Sequence, residues 1–365
     1  MTDKLPRPRA TGPSIDGEPL VRAPETSADR RCADVIARTI PEIVLGLWTL
    51  VGVEVISDRN HGRTRITEVR AEITNHMTDS TRTLALVLKH HPPEGGWAAD
   101  HAARRLRAAG LAGPPFTVVR TLGTAPDGTL VAETAAGQPW AESLVGESAA
   151  ARGAEAVAHF LCALQETRAV LPPVPEVQRH TDSELRGLLD LAAHRLPGAT
   201  RHLEALAEHL DSALTTAAGA GPVPSHGDLH PRNVFLDPAQ EQFRYPAVTV
   251  IDLDHAGLRE PAADLGYALC QVLVTAGHLG LVLEQSARTA HELWCAYRRA
   301  GGPASDERIA VQTARAFVQV LHFEQVGFGG APIESLSFWA SVAVQICREG
   351  PGALHRLGVH GTGWR

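Results

Sequence analysis

Ser225-His226-Gly227-Asp228-Leu229-His230-Pro231-Arg232-Asn233-Val234-Phe235-Leu236-Asp237 is the stretch on which the reading of this chain turns. It follows a Gly/Pro break from Gly219 to Pro224 and runs into the apolar Val234-Phe235-Leu236, so it reads as a loop entering a strand. A second strand, Ala247-Val248-Thr249-Val250-Ile251, comes soon after and delivers Asp252 and Asp254. Together they read as a hairpin with Asp228 and Asn233 on one side and Asp252 on the other. Metal-assisted phosphoryl transfer needs such a set. One carboxylate orients or deprotonates an attacking hydroxyl, while an amide and a second carboxylate hold magnesium against nucleotide phosphates.

His226-x-Asp228-x-x-x-x-Asn233 followed by Ile251-Asp252 resembles the catalytic loop and metal aspartate of the aminoglycoside phosphotransferase and choline kinase family. The two pieces stand in the family's order, 24 residues apart (252 minus 228). The resemblance implies an α+β chain with the bilobal protein-kinase-like fold, a small β-rich N-lobe and a larger, mainly helical C-lobe. It also implies ATP and Mg2+ as cofactors, Asp228 as the catalytic residue, and Asn233 and Asp252 as metal ligands.

The bulk numbers agree with a chain of this kind. At 365 residues it can form two lobes, each with its own core. A hydrophobic fraction of 44% and a charged fraction of 21% suit a soluble globular protein. The net charge of -7 gives no basic footprint for nucleic acid, and no apolar run reaches a membrane span. The N-terminal segment is polar and Pro-rich, unlike a signal peptide. Cys32, Cys162, Cys270, Cys295 and Cys347 show no ligand spacing and read as free thiols of a cytoplasmic protein. The only lysines are Lys4 and Lys89, in a chain whose other basic residues are arginine. A chain so biased retains lysine where arginine cannot substitute.

Residues 1–25 lack periodicity and are expected to be disordered; a nucleotide-binding lobe would span 26–135 and a catalytic lobe 136–365. Ser27 or Asp29 would cap a first helix through Val35, Ile36 and Ile40. Residues 48–57 and 63–73 read as strands around a polar turn, Asp58 to Gly62. In the family this hairpin covers the nucleotide phosphates; here Gly62 is its one glycine, and an ordinary turn is the competing reading. Leu84-Ala85-Leu86-Val87-Leu88-Lys89 is a third strand, ending an apolar run on a charge. Nucleotide phosphates would partner Lys89, as they do the family's third-strand lysine; the alternative is a strand-end lysine reaching solvent.

A helix over 98–111 follows. The family places a glutamate there to orient the lysine, and this sequence has none at that turn. Asp100 is the nearest acid, with Glu94 before the helix; Asp100 either orients Lys89 or only complements the helix dipole. Residues 116–122 and 129–133 read as the next hairpin. Val131 to Gly137 resembles the family's hinge, with backbone at Glu133 and Ala135 meeting the adenine edge. Helices are then expected over 154–166, 181–196, 201–214, from Pro261, and over roughly 283–300, 305–325 and 333–348. Asp264, by resemblance, would brace the catalytic loop.

Asp254 shares a strand face with Asp252 and is given a secondary role, with a second metal or with Arg232 or Arg259. His226 reads as a structural histidine of the loop. His226-x-Asp228-x-His230 also has the look of a transition-metal cluster, but such sites need further ligands at fixed spacing. No GxxxxGK[ST] or GxGxxG occurs, which removes P-loop and Rossmann readings. The expected activity is ATP- and Mg-dependent transfer to a hydroxyl of a small molecule such as an antibiotic, amino alcohol or sugar. The aromatics Phe317, Phe323, Phe338 and Trp339 among sparse acids point as readily to a partly apolar acceptor as to a polycationic aminoglycoside. Two alternatives remain: a kinase of Ser or Thr in a precursor peptide, and a catalytically weak nucleotide-binding scaffold.

Overall fold

Thr26 starts the first helix of the computed structural model, which describes residues 26–61, 64–91, 93–174, 177–215, 221–238, 243–328 and 334–359. Its hydroxyl accepts the Asp29 N–H while the Asp29 carboxylate accepts the Thr26 N–H, a capping box on α1 (Ser27–Thr39). The cap thus falls one residue before Ser27, and Asp29 is its reciprocal partner. Residues 1–25 and Gly62 lie outside the described residues, so the expectations attached to them find no structural counterpart here.

A short helix α2 (Pro41–Val44) leads into β1 (Trp48–His61), β2 (Thr64–Asn75) and β3 (Thr81–His90). Together with β6 (Thr121–Thr124) and β7 (Thr129–Glu133) they form an antiparallel sheet in the order β1-β2-β3-β7-β6. The segment read as a polar turn after residue 57 is mostly strand. Asp58, Arg59 and Asn60 pair with Thr67, Ile66 and Arg65, and the ion pairs Arg65–Asp58 and Arg59–Glu68 run across that ladder. Cys32, Ile36 and Ile40 of the first helical segment close one face of this sheet against Val69, Leu86, Leu88 and Val131.

The helix α3 (Pro93–Ala108) begins earlier than the sequence suggested, which brings Glu94 into its first turn. Two strands follow, β4 (Ala112–Gly113) and β5 (Phe116–Val118). The run 116–122 was expected as one strand of a hairpin; the structure divides it. Its first half leaves the N-lobe sheet and pairs in parallel with β11 (Ala247–Val250), and only its second half, β6, pairs with β7. Val119 marks the crossing: its N–H is taken by the Val250 carbonyl. Residues 112–118, read from the sequence as part of the first lobe, are therefore built into a second sheet, ordered β4-β5-β11-β10-β8, with β8 (Gln138–Pro139) and β10 (Val234–Asp237).

The rest is helical: α4 (Trp140–Ser143), α5 (Glu147–Glu166), α6 (Val177–Arg195) and α7 (Pro197–Thr215) precede the β10–β11 hairpin. After it come α8 (Ala262–His278), α9 (Leu283–Arg299), α10 (Asp306–His322), a π-helical turn (Phe323–Phe328), α11 (Glu334–Glu349) and α12 (Pro351–Val359). The last helix had no counterpart in the sequence reading. The strands β9 (Val223–Ser225) and β12 (Gly257–Arg259) pair beside the loop that carries Asp228. Of the aromatics weighed for an acceptor, Phe317, Phe338 and Trp339 serve packing, while Phe323 is 59% exposed. Phe317 is fully buried and stacks on Trp339 at 5.5 Å, with Phe338 edge-on to Trp339 at 5.1 Å. The five cysteines are free, and among the described residues no helix is long and apolar enough to cross a membrane.

Candidate active site

The hairpin forms as read, with Val234 opposite Val250 and Asp237 opposite Ala247. It joins the loop before it to the turn after it through two bonds. Ile251 N–H donates to the Asn233 carbonyl at 3.0 Å, and His226 Nε2 lies 2.8 Å from the Ile251 carbonyl. A ring nitrogen facing a carbonyl oxygen must carry the proton, so the fully buried His226 ring ties the loop to the end of the hairpin. Its other nitrogen, Nδ1, accepts the Asp228 N–H at 3.2 Å.

Asp264, in the first turn of α8, grips the same loop. Its buried carboxylate accepts the His226 N–H at 2.6 Å and the Gly227 N–H at 2.8 Å. Gly227 has φ +85°, and a Cβ there would meet the His255 carbonyl oxygen at 2.1 Å, so only glycine fits this bend. Asp228 emerges from the braced loop about a quarter exposed. Asn233 Nδ2 donates to the Asp228 carbonyl at 3.1 Å and approaches its carboxylate at 3.5 Å. His230 Nε2 stands 3.8 Å from the same carboxylate, and burial holds that imidazole below its ordinary pKa even against the pull of Asp228.

Lys89 reaches this site from the other lobe. Its Nζ donates to Asp252 Oδ1 at 2.6 Å and to Asp254 Oδ2 at 2.7 Å, and its side chain is only 14% exposed. Burial alone would pull the ammonium's pKa down; the two carboxylates outweigh it, and the net direction is up. Burial likewise pushes Asp252 up, but Lys89 dominates and its carboxyl titrates low. Asp254 goes the other way, raised by burial and then by the Asp252 charge beside it. The strand-end lysine reaching solvent is thus not what forms, and Asp254 pairs with Lys89 and not with Arg232 or Arg259.

Asp252 adopts φ +65°, a left-handed conformation that aspartate tolerates better than most residues. Asp100 does not join the cluster: its buried carboxylate is held by Arg104 Nε at 2.9 Å and by the Thr121 hydroxyl. Asp100 sits about two turns into α3, facing β6, and its short side chain is spent there. At the expected hinge, Glu133 N–H is given to the Arg120 carbonyl and Thr134 N–H to the Ala85 carbonyl, while the Glu133 carboxylate pairs with Arg120 and Ala135 is half-buried.

Two residues were not singled out from the sequence. His91 sits 3.5 Å from Asp254 with a nearly buried ring whose Nε2 has no hydrogen-bond partner. Its place directly after Lys89 and His90 was the available signal. The other is Tyr267, whose phenol pKa is raised by burial and then by the nearby Asp228 charge. It stands one turn beyond Asp264, a polar aromatic in an otherwise apolar helix, which is a signal of the same kind.

The oxygen donors here suit a hard divalent cation. Asp252 and Asp254 are already drawn around a positive charge. Oδ1 of Asp254 is buried without a hydrogen-bond partner, and Asn233 spends its amide nitrogen on Asp228, which leaves its amide oxygen as the acceptor.

The fold aligns with solved structures of small-molecule kinases. A choline/ethanolamine kinase family protein from Mesorhizobium loti matches at a TM-score of 0.56 and 17% identity, over 89% of this chain and 98% of that one. An ethanolamine kinase of Plasmodium vivax matches at 0.53 and 9%, over 89% and 91%. A GDP complex of a mutant aminoglycoside 2'-phosphotransferase-IIIa matches at 0.52 and 16%, over 90% and 99%. At such identities the likeness establishes the bilobal, protein-kinase-like α+β fold. A search of curated protein sequences found no match. Residues 66–313, more than half of the chain, match the APH model, described as the phosphotransferase enzyme family, and Lys89, Asp228, Asn233 and Asp252 all fall within them; the chain belongs to that family.

Proposed function

We propose that this enzyme transfers the γ-phosphoryl group of ATP to a hydroxyl of a small molecule, with magnesium as the metal. The observation that carries the reading is the convergence of Lys89 from one lobe with Asp252 from the other, beside a loop that presents Asp228. A lysine so placed, flanked by carboxylates and an amide oxygen, supplies both the cation and the metal donors that a triphosphate tail requires. Asp228 would accept the acceptor's proton or align its lone pair for in-line attack. Asn233 and Asp252 would hold magnesium, which neutralises charge on the phosphate oxygens. Lys89 would then exchange part of its carboxylate pairing for phosphate oxygen, a swap of like for like in charge. His226 and Asp264 fix the loop so that Asp228 needs little reorganisation.

The names of the structural relatives, an ethanolamine kinase and an aminoglycoside phosphotransferase, favour a small alcohol acceptor. The test is turnover of Mg-ATP by wild type and Asp228→Ala against a panel of amino alcohols, sugars, aminoglycosides and a Ser/Thr peptide. We expect phosphorylated product with at least one small alcohol and a loss of roughly 10²–10⁴-fold in Asp228→Ala, with ATP binding by calorimetry nearly unchanged. Undiminished turnover in that variant would refute the catalytic assignment. Absence of product across the panel, with ATP still bound, would return the protein to the scaffold reading.

A further inference from the structure

From Ile309 to Val318 every residue of α10 is buried, and one of them, Arg315, is charged. It is only 8% exposed. Its Nε donates to Gln312 Oε1 at 2.9 Å, and Gln312 donates from Nε2 to Glu260 Oε2 at 2.8 Å. The Glu260 carboxylate is already taken by Arg308, at 2.5 and 2.7 Å through its two oxygens. Arg315 therefore meets an amide and not a charge. Arg259, the residue before Glu260, is in the same position. Its Nη2 donates to the His255 carbonyl at 3.1 Å, while its Nε is buried without a hydrogen-bond partner. Asp264 spends its carboxylate on the main chain of the Asp228 loop. Among the described residues, no carboxylate lies within ion-pair distance of either guanidinium.

Neither hydrogen bond needs a guanidinium, since a neutral amide would serve the Gln312 and His255 oxygens as well. Two cations kept out of water without a counter-charge are costly, and an anion from outside the chain removes that cost. Burial lowers the pKa of both groups, and the Arg259 charge lowers that of Arg315 further. The pair also stands in a telling place. Arg259 Nη2 lies 3.0 Å from the point that a Cβ on Gly227 would occupy, so its charge borders the residue before Asp228. Arg315 reaches the same corner through Gln312 and Glu260. We propose that Arg259 and Arg315 form an oxyanion subsite, and that the acceptor is a hydroxyl-bearing acid whose carboxylate or phosphate binds there while its hydroxyl meets Asp228. The planar fork of a guanidinium matches the paired oxygens of either group. The inference rests on the reading of Asp228 as the acceptor-aligning residue.

The test fills the nucleotide site with a non-hydrolysable Mg-ATP analogue and follows the melting temperature as inorganic phosphate is added, with sodium chloride at equal ionic strength as the control. Phosphate well above its dissociation constant should raise the Tm of wild type by about 2 °C, and that of Arg315→Met by about half as much or less. Arg259→Gln, at a half-buried position, gives the same readout should Arg315→Met fail to fold. Equal shifts in wild type and variants overturn the subsite. Asp228→Asn removes a charge that repels the anion, so phosphate should bind it about threefold more tightly. An unchanged affinity would place the anion away from Asp228 and overturn its role in acceptor binding. Serine against ethanolamine and glycerate against glycerol supply acceptor pairs that differ by a carboxylate. Wild type should prefer the acid of each pair in kcat/KM, and Arg315→Met should cut that preference about tenfold. A preference for the members without a carboxylate would sink the proposal. Wild-type turnover in Asp228→Ala would defeat the catalytic reading alone, because phosphate binding is read without catalysis.

Discussion

The ammonium of Lys89 and the carboxylate of Asp252 stand 2.6 Å apart although 163 residues separate them in the chain. Replacing Lys89 with Met would leave Asp252 and Asp254 facing each other without a cation. The carboxylates are 29% and 23% exposed, so the cost should fall toward the lower end of the ~3–5 kcal/mol seen when one partner of a buried pair is removed. Added MgCl2 should recover more stability in Lys89→Met than in wild type, since a divalent cation can take the vacated position. Denaturant melts of both proteins with and without magnesium measure this, and equal magnesium effects would contradict it.

Lys89→Arg should weaken ATP binding or turnover despite the retained charge. A planar guanidinium cannot point one compact set of donors at two carboxylates and a phosphate as an ammonium does. Titration calorimetry with ATP and a steady-state assay report the two quantities separately.

Much of this site was legible because its parts are short and local. The hairpin carries Asp228, Asn233 and Asp252 within one turn-strand-strand unit, and the apolar runs 234–236 and 247–251 announce it. What holds Lys89 was not legible. Asp254 was read as sharing a strand face with Asp252, but both lie beyond β11, which ends at Val250; their shared partner Lys89 lies in the other lobe, and no period in the sequence connects them. Asp100 misled for the opposite reason. It sits at the helix position where an orienting acid is sought, yet Arg104 and Thr121 occupy its carboxylate, and only packing reveals that. The strand 116–122 was divided for a similar cause: both halves are apolar enough for a sheet, and nothing local says they join different ones.

Gly227→Ala should destabilise the fold by about 3 kcal/mol, from a left-handed backbone combined with a methyl group 2.1 Å from the His255 carbonyl oxygen. The damage should concentrate in the loop that carries Asp228. Hydrogen exchange at residues 225–233 should accelerate more than exchange in α9, and a uniform change across the protein would count against a local origin.

His278 and Glu324 lie 3.1 Å apart where α8 ends beside the π-helical turn. The hydrogen bond to Glu324 raises the imidazole's pKa above its usual 6.5, against a smaller effect of burial. Its folded-state pKa exceeds the unfolded one, so the pair's contribution is complete below about pH 6.5 and is lost as pH rises through the elevated value. His278 is half exposed and screened, so the effect should be about a degree in Tm. Subtracting the Tm-against-pH curve of Glu324→Gln from that of wild type should leave a falling step above neutral pH. A flat difference would show that the pair adds no stability.

The left-handed turn at Asp252 bears on how this position can be interrogated. An alanine or glutamate there would impose its own conformational penalty, and any lost activity would mix two injuries, one to the main chain and one to the charge. Asparagine accepts the same torsion, so Asp252→Asn is the substitution that removes the carboxylate while leaving the bend undisturbed.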